Sequence, residues 1–184
     1  MILHQDYVNL LDVEYVQLIF FAQYKNTRLK SYFWYMNIEF DDAYFMKKAL
    51  VEAHLAFDQG EVPVGAVVVV DQQIIARAHN LTELLNDVTA HAEMQAITAA
   101  SNFLGGKFLH DCTLYVTLEP CQMCAGALYW SQISRVVFGA KDQERGFLTM
   151  GSTLHPKTKI QGGVLADESS ALLKRFFIEK RNLN

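Results

Sequence analysis

Proline is scarce in this sequence. Only Pro63, Pro120 and Pro156 punctuate 184 residues, which excludes a proline-rich linker or a low-complexity tail and leaves room for long regular elements. Long hydrophobic runs are missing too. The greasiest stretch near the N-terminus, residues 16–22, is interrupted by Gln17 and falls well short of the roughly 18 uninterrupted apolar residues of a membrane span. A secretory signal is equally absent, because Asp6, Asp12 and Glu14 stand where a basic region belongs and no small-residue cleavage site follows. These absences predict a cytoplasmic protein. Cysteine numbers only three, an odd count that argues against a disulfide scaffold. Cys121 and Cys124 form a C-x-x-C pair suited to a metal or redox site, and Cys112 is expected to be a buried bystander. Basic charge is not in excess either: the net charge is −4, which disfavours an open nucleic-acid-binding surface over the whole chain. The balance is uneven, however. Residues 141–184 carry eight Lys and Arg against five Asp and Glu, so this part could meet phosphate locally, or simply form a solvated tail helix.

With 51% hydrophobic residues, the chain is long enough for one packed core and little more. Residues 41–59 place Met46, Ala49, Leu50, Ala53, Ala56 and Phe57 at three-and-four spacing and stop before Gly60, predicting a helix. The valine-rich run 64–70, the polar turn Asp71-Gln72-Gln73 and the run 74–78 predict a hairpin. Residues 113–117 and 135–138 are strand candidates separated by one helix, 120–130, which suits a parallel β-α-β crossover. An amphipathic helix over 169–180 closes the chain. Residues 1–35 are aromatic-rich and carry no motif; they are read as an N-terminal extension, either the product of a misassigned upstream start before Met36 or a helix covering an apolar patch. Residues 36–184 then make up the functional domain.

The chemistry is concentrated in His91-Ala92-Glu93 and, thirty positions beyond the histidine, Pro120-Cys121-Gln122-Met123-Cys124. Either half alone is weak; the pair is specific. Zinc favours N and S ligands in a tetrahedron, and three protein ligands leave a fourth position for water, the mark of a catalytic site. His91, Cys121 and Cys124 supply three. Pro120 suits the first turn of a helix, which would put both cysteines on one face near its positive end. Thr89 is expected to cap a second helix running through 92–100, with His91 in its first turn. On such a helix Glu93 would turn to the side opposite His91, so the two would not share one ion. A general acid–base role for Glu93 fits better. The alternative is a structural zinc, whose fourth ligand would have to be Cys112, His79 or His110.

H-x-E with P-C-x-x-C is the signature of zinc-dependent nucleobase deamination, and the chain resembles the cytidine deaminase-like superfamily. The strings Glu61-Val-Pro-Val-Gly-Ala-Val67, Thr89-Ala-His-Ala-Glu-Met94, Thr117-Leu-Glu-Pro-Cys-Gln-Met-Cys-Ala-Gly-Ala127 and Arg135-Val-Val-Phe-Gly-Ala-Lys-Asp142 resemble those of the bacterial tRNA-specific adenosine deaminases, over about residues 38–181. That resemblance implies a three-layer α/β/α fold around a mixed, mostly five-stranded sheet and one Zn2+ per subunit. It implies conversion of adenosine to inosine at the wobble position of a tRNA anticodon stem-loop by a homodimer. It also implies substrate contacts from Asn80, the backbone near Ala92 and Glu93, and Asp142, although Asn80 could merely end a strand and Asp142 cap a turn. Phe176 and Phe177, with Lys174, Arg175, Lys180 and Arg181, resemble the family's RNA-proximal terminal helix; both aromatics could equally be core. The segment 81–88, expected beside the substrate, has no Lys or Arg, which leaves Lys141, Arg145, Lys157 and Lys159 as candidates for phosphate contacts. Two other functions compete: a guanine deaminase using the same zinc chemistry on a free base, and a non-catalytic zinc-stabilised RNA-binding module, which would have no need of Glu93.

Overall fold

The computed structural model describes residues 40–182; the expectation of an N-terminal extension over 1–35 falls outside them. Along the strands, valines and other apolar residues alternate between two faces, and this period of two builds the molecule. Ala66, Val68, Leu114, Val116, Val136 and Phe138 point into one apolar cluster; Val67, Val69, Tyr115 and Val137 point into another. Burying both faces requires helices on both sides. The elements are α1 (Asp42–Asp58), β1 (Gly65–Val70), β2 (Gln73–His79), α2 (Ala92–Leu104), β3 (Thr113–Leu118), α3 (Gln122–Ser131), β4 (Arg135–Ala140), β5 (Lys159–Gly162) and α4 (Ala166–Asn182). Helices α2 and α3 cover the first face through Ala92, Ala96, Ala100, Ala125 and Leu128. Helix α1 covers the second through Phe45, Met46 and Ala49, and α4 joins it there, its Phe176 edge-on to Phe57 of α1 at 5.8 Å between ring centres. The expected three-layer α/β/α arrangement is present. No helix among the described residues is long and apolar enough to cross a membrane.

The sheet has five strands in the order β2-β1-β3-β4-β5. β1 pairs antiparallel with β2 and β3, whereas β4 runs parallel to β3 and β5. Asp71 and Gln72, with φ of 47° and 62°, form the two-residue turn of the expected hairpin. The 113–117 and 135–138 strands are parallel neighbours with α3 between them, as the crossover pattern predicts. β5 had no sequence signal: its four residues are all exposed and show no apolar alternation.

Two helix starts differ from expectation. Thr89 does not cap α2, because both its N–H (2.8 Å) and its hydroxyl (2.7 Å) donate to Asp87. His91 is the N-cap residue instead, with extended backbone at φ −70° and ψ 153°. Nor does α3 begin at Pro120. Cys121 is held extended in a bridge to Gly146, Phe147 N–H donates to the Pro120 carbonyl at 2.9 Å, and the helix starts one residue later, at Gln122.

Candidate active site

The carboxyl ends of β3 and β4 open onto a crevice, since β3 leads to α3 on one face and the chain beyond β4 leads to α4 on the other. Such a crevice is where α/β sheets place ligands. Here it is a cavity of about 820 Å³, lined among others by Asn80, His91, Glu93, Cys121, Asp142 and Phe177.

Both helix starts put a candidate ligand at their threshold. His91 precedes α2 and Cys121 precedes α3, each as the N-cap residue, while Cys124 sits in the first turn of α3. His91 Nδ1 lies 3.7 Å from Cys121 Sγ and 3.5 Å from Cys124 Sγ. Tetrahedral bonds of ordinary zinc–nitrogen and zinc–sulfur length separate such atoms by about 3.6 Å. The donor set and its spacing therefore fit a tetrahedral thiolate-binding ion. His91, Cys121 and Cys124 are the group of metal-binding type among the described residues, with all three donor atoms within 4.8 Å of one another. The expected candidates for a fourth protein ligand are engaged elsewhere: His79 faces Glu52 at 3.2 Å, His110 faces Gln132 at 3.0 Å, and Cys112 is fully buried in the core.

Glu93 does not turn away from His91. Because His91 is extended and outside the helix, the opposite-side argument fails, and Glu93, in the first turn and only 4% exposed, faces the same cavity. It remains outside the three-ligand group. Burial raises its carboxyl above the ordinary value, with the imidazole of His91 opposing that rise. The Cys121 thiol is held down to about 4 by the hydrogen bond from Cys124 and by His91; the same bond and burial push Cys124 up. His91 is raised by its hydrogen bond to Cys121. A thiol lowered toward its thiolate suits a metal ligand, and a buried carboxyl raised above its ordinary value suits a group that moves protons.

The remaining expectations separate. Asn80 follows β2, is 5% exposed, and lines the cavity with its Nδ2 held by Thr82 (3.1 Å) and Glu61 (3.4 Å). Asp142 does cap a turn, accepting from the N–H groups of Glu144 and Arg145, and also lines the cavity. Ala92 is buried in the core below. Phe176 is core, whereas the neighbouring Phe177 is 46% exposed and reaches the cavity beside Lys174. Arg175 lies over the Phe57 ring at 4.0 Å. Lys141 and Arg145 line the cavity. Lys159 does not, being paired with Arg135 at the opposite end of β4, some six residues or about 20 Å of strand away. Lys157 lies on the approach to that same end.

Two residues of the framework escaped notice as site residues. Glu61, wholly buried, accepts from the N–H groups of Glu83 (2.9 Å) and Leu84 (2.8 Å) and the hydroxyl of Thr82 (3.1 Å). Glu119, 2% exposed, accepts from the N–H groups of Asp142 (3.2 Å) and Leu148 (2.9 Å). Each ties one rim of the cavity to the framework. The only local signal was an acidic residue bordering an apolar strand in each quoted motif.

In comparison with known proteins, residues 40–184 match the model of the MafB19-like deaminase family. The tRNA-specific adenosine deaminase of Aquifex aeolicus (strain VF5) is 48% identical over 145 residues, covering 76% of this chain and 95% of that protein. A solved structure from studies of A-to-I editing by tRNA:A34 deaminases at the wobble position of transfer RNA superposes with a TM-score of 0.66 at 44% identity, covering 70% of this chain and 98% of the other. The structure of a guanine deaminase from Bacillus subtilis superposes with a TM-score of 0.53 at 41% identity, over 55% of this chain and 66% of the other.

Proposed function

The chain belongs to the MafB19-like deaminase family and to the tRNA-specific adenosine deaminases, and from that premise we propose that it hydrolyses the 6-amino group of adenosine at the wobble position of a tRNA anticodon stem-loop, leaving inosine. The observation that carries the reading is the placement of His91 and Cys121 on the floor of a cavity that also holds the buried Glu93, with Cys124 behind them and both sulfurs at tetrahedral separations from His91 Nδ1. One Zn2+ per subunit is the ion this donor set suits, and when bound it lowers the pKa of a water toward about 7 and so supplies the nucleophile.

The chain's own residues do the rest. Glu93 takes a proton from the attacking water, delivers it to N1 of the adenine as the new C6–O bond forms, and passes the second to the amine that leaves as ammonia. Burial raises its carboxyl above the ordinary value, which favours its return of the proton it has accepted. Asn80 and Asp142 hold the nucleotide with the main chain at Ala92, whose side chain is buried in the core, and Lys141, Arg145 and Lys174 face the backbone phosphates, with Phe177 offering a ring for stacking. These cations favour a nucleic acid over a free base, and the tRNA deaminases match at 48% and 44% identity over 95% and 98% of their own length.

The deaminase domain in this reading is residues 36–184, working in the cytoplasm as a homodimer. Exposed Trp130 near the end of α3 and exposed Phe103 near the end of α2, on helices that pack together, supply apolar surface for a second subunit. The deciding experiment incubates the purified protein with tRNA carrying a wobble adenosine and, separately, with guanine. Inosine is expected in the tRNA; chelation should abolish it and Zn2+ restore it. Xanthine from guanine, with no inosine in the tRNA, would overturn the substrate assignment.

A further inference from the structure

The rim formed by residues 141–150 carries Lys141, Asp142 and Arg145 into the cavity; within it the N–H groups of Gly146 and Met150 donate to the carbonyls of Asp142 (3.2 Å) and Gly146 (3.0 Å), and Phe147 N–H donates to the Pro120 carbonyl at 2.9 Å. The side chain that fastens the rim to the segment after β3 is that of Glu119. The carboxylate Oε2 accepts the N–H of Asp142 at 3.2 Å and Oε1 accepts that of Leu148 at 2.9 Å, so one side chain grips both ends of the loop. Asp142 extends the grip, since its Oδ1 accepts the N–H groups of Glu144 at 3.0 Å and Arg145 at 2.9 Å. Between these points the loop passes so close that a Cβ on Gly146 would stand 2.5 Å from the Glu119 carboxyl and 2.4 Å from the Asp142 carbonyl.

Two diverging N–H donors need two acceptors fixed in one plane, which a carboxylate provides and an amide or hydroxyl does not. The position is otherwise an expensive one for an acid, 2% exposed and two residues before Cys121. Glu119 is not one of the three metal-type ligands, and both its oxygens are committed to the loop. We propose that Glu119 is a positioning residue for the RNA substrate: it preorganises the 141–150 rim so that Lys141, Asp142 and Arg145 meet the nucleic acid without an ordering cost at binding. The inference rests on the proposed tRNA reading for its substrate, but not for its geometry.

Glu119→Gln keeps the shape, retains one acceptor and turns an NH2 group against the other loop N–H. Gly146→Ala perturbs the same contact from the loop side. Loss of one charge-assisted hydrogen bond should raise KM for the wobble-adenosine tRNA about tenfold, by more than kcat falls, with zinc content still one per chain. Amide hydrogen exchange at Asp142 and Leu148 should accelerate about tenfold in both variants while exchange in β1 and β3 stays slow. Unchanged KM and unchanged exchange in both variants would overturn the proposal. So would a loss of zinc in step with kcat while exchange at 142 and 148 stays slow, because Glu119 would then serve the metal site. If wild-type protein makes no inosine, the substrate reading fails, and the exchange measurement alone still decides whether Glu119 holds the loop.

Discussion

Replacing Glu93 by glutamine separates its chemical role from a structural one. The two side chains have nearly the same shape, so the buried site beside His91 and Cys124 keeps its packing. What disappears is the ability to carry a proton. In the proposed reaction Glu93 handles two transfers, one to N1 and one to the departing amine, and a single positioned general acid or base contributes about 10²- to 10⁴-fold. Loss of both predicts a fall in kcat of at least about 10³-fold, equivalent to roughly 4 kcal/mol of barrier. Stability should move the other way or not at all, because a buried ionisable group is replaced by a neutral one. The assay is single-turnover conversion of a wobble-adenosine tRNA under saturating enzyme, with nucleosides separated after digestion, alongside elemental zinc analysis and thermal melting. Retention of more than a tenth of the wild-type rate would refute the proton-shuttle role. A rate loss accompanied by loss of zinc or a lowered Tm would refute the separation of chemistry from structure.

Three further outcomes follow from other parts of the molecule. Lys141→Ala and Arg145→Ala should each reduce the slope of log kcat/KM against log salt by about 0.7 to 0.9, while Lys159→Ala, at the far end of β4, should leave the slope unchanged; steady-state kinetics between 50 and 200 mM salt, roughly, resolves the difference. Asp42 receives paired bonds of 2.6 and 2.7 Å from Arg135 and a third from Tyr115 at 3.0 Å, and these hold its carboxyl below the ordinary 3.8 against the opposing effect of burial. Its contribution is therefore complete above that ordinary value and vanishes as pH falls through the lowered folded value; Asp42→Asn should cost about 1–2 kcal/mol at pH 7 in urea unfolding and progressively less in strong acid. A cost that did not shrink on acidification would contradict the ion pair. Gly65→Ala would drive a Cβ to 2.1 Å from the Ala49 carbonyl and 2.3 Å from the Ala53 nitrogen, backbone that cannot yield cheaply, so a loss of about 3 kcal/mol or more is expected by calorimetry.

Sequence by itself determined the candidate metal-binding residues and, among the described residues, the four helices and four of the five strands. The candidate ligands were legible because a thiolate-binding ion demands particular residue types, and His91, Cys121 and Cys124 display them openly. The core strands were legible because alternation along β1, β3 and β4 is a local pattern that two apolar faces impose. Tertiary structure decided where those ligands stand and what surrounds them. The bonds from Thr89 to Asp87 and the bridge of Cys121 to Gly146 moved both helix starts, which placed His91 and Cys121 at the thresholds and turned Glu93 toward them. The same holds for the tethers, since Glu61 and Glu119 act on N–H groups 22 to 29 residues away. It holds as well for which cations face the cavity, because the end of the sheet at which Lys141 and Lys159 emerge depends on strand pairing. A metal ligand is recognised by its own chemistry, whereas a tether is defined by its partner, and only the folded chain brings the partner near.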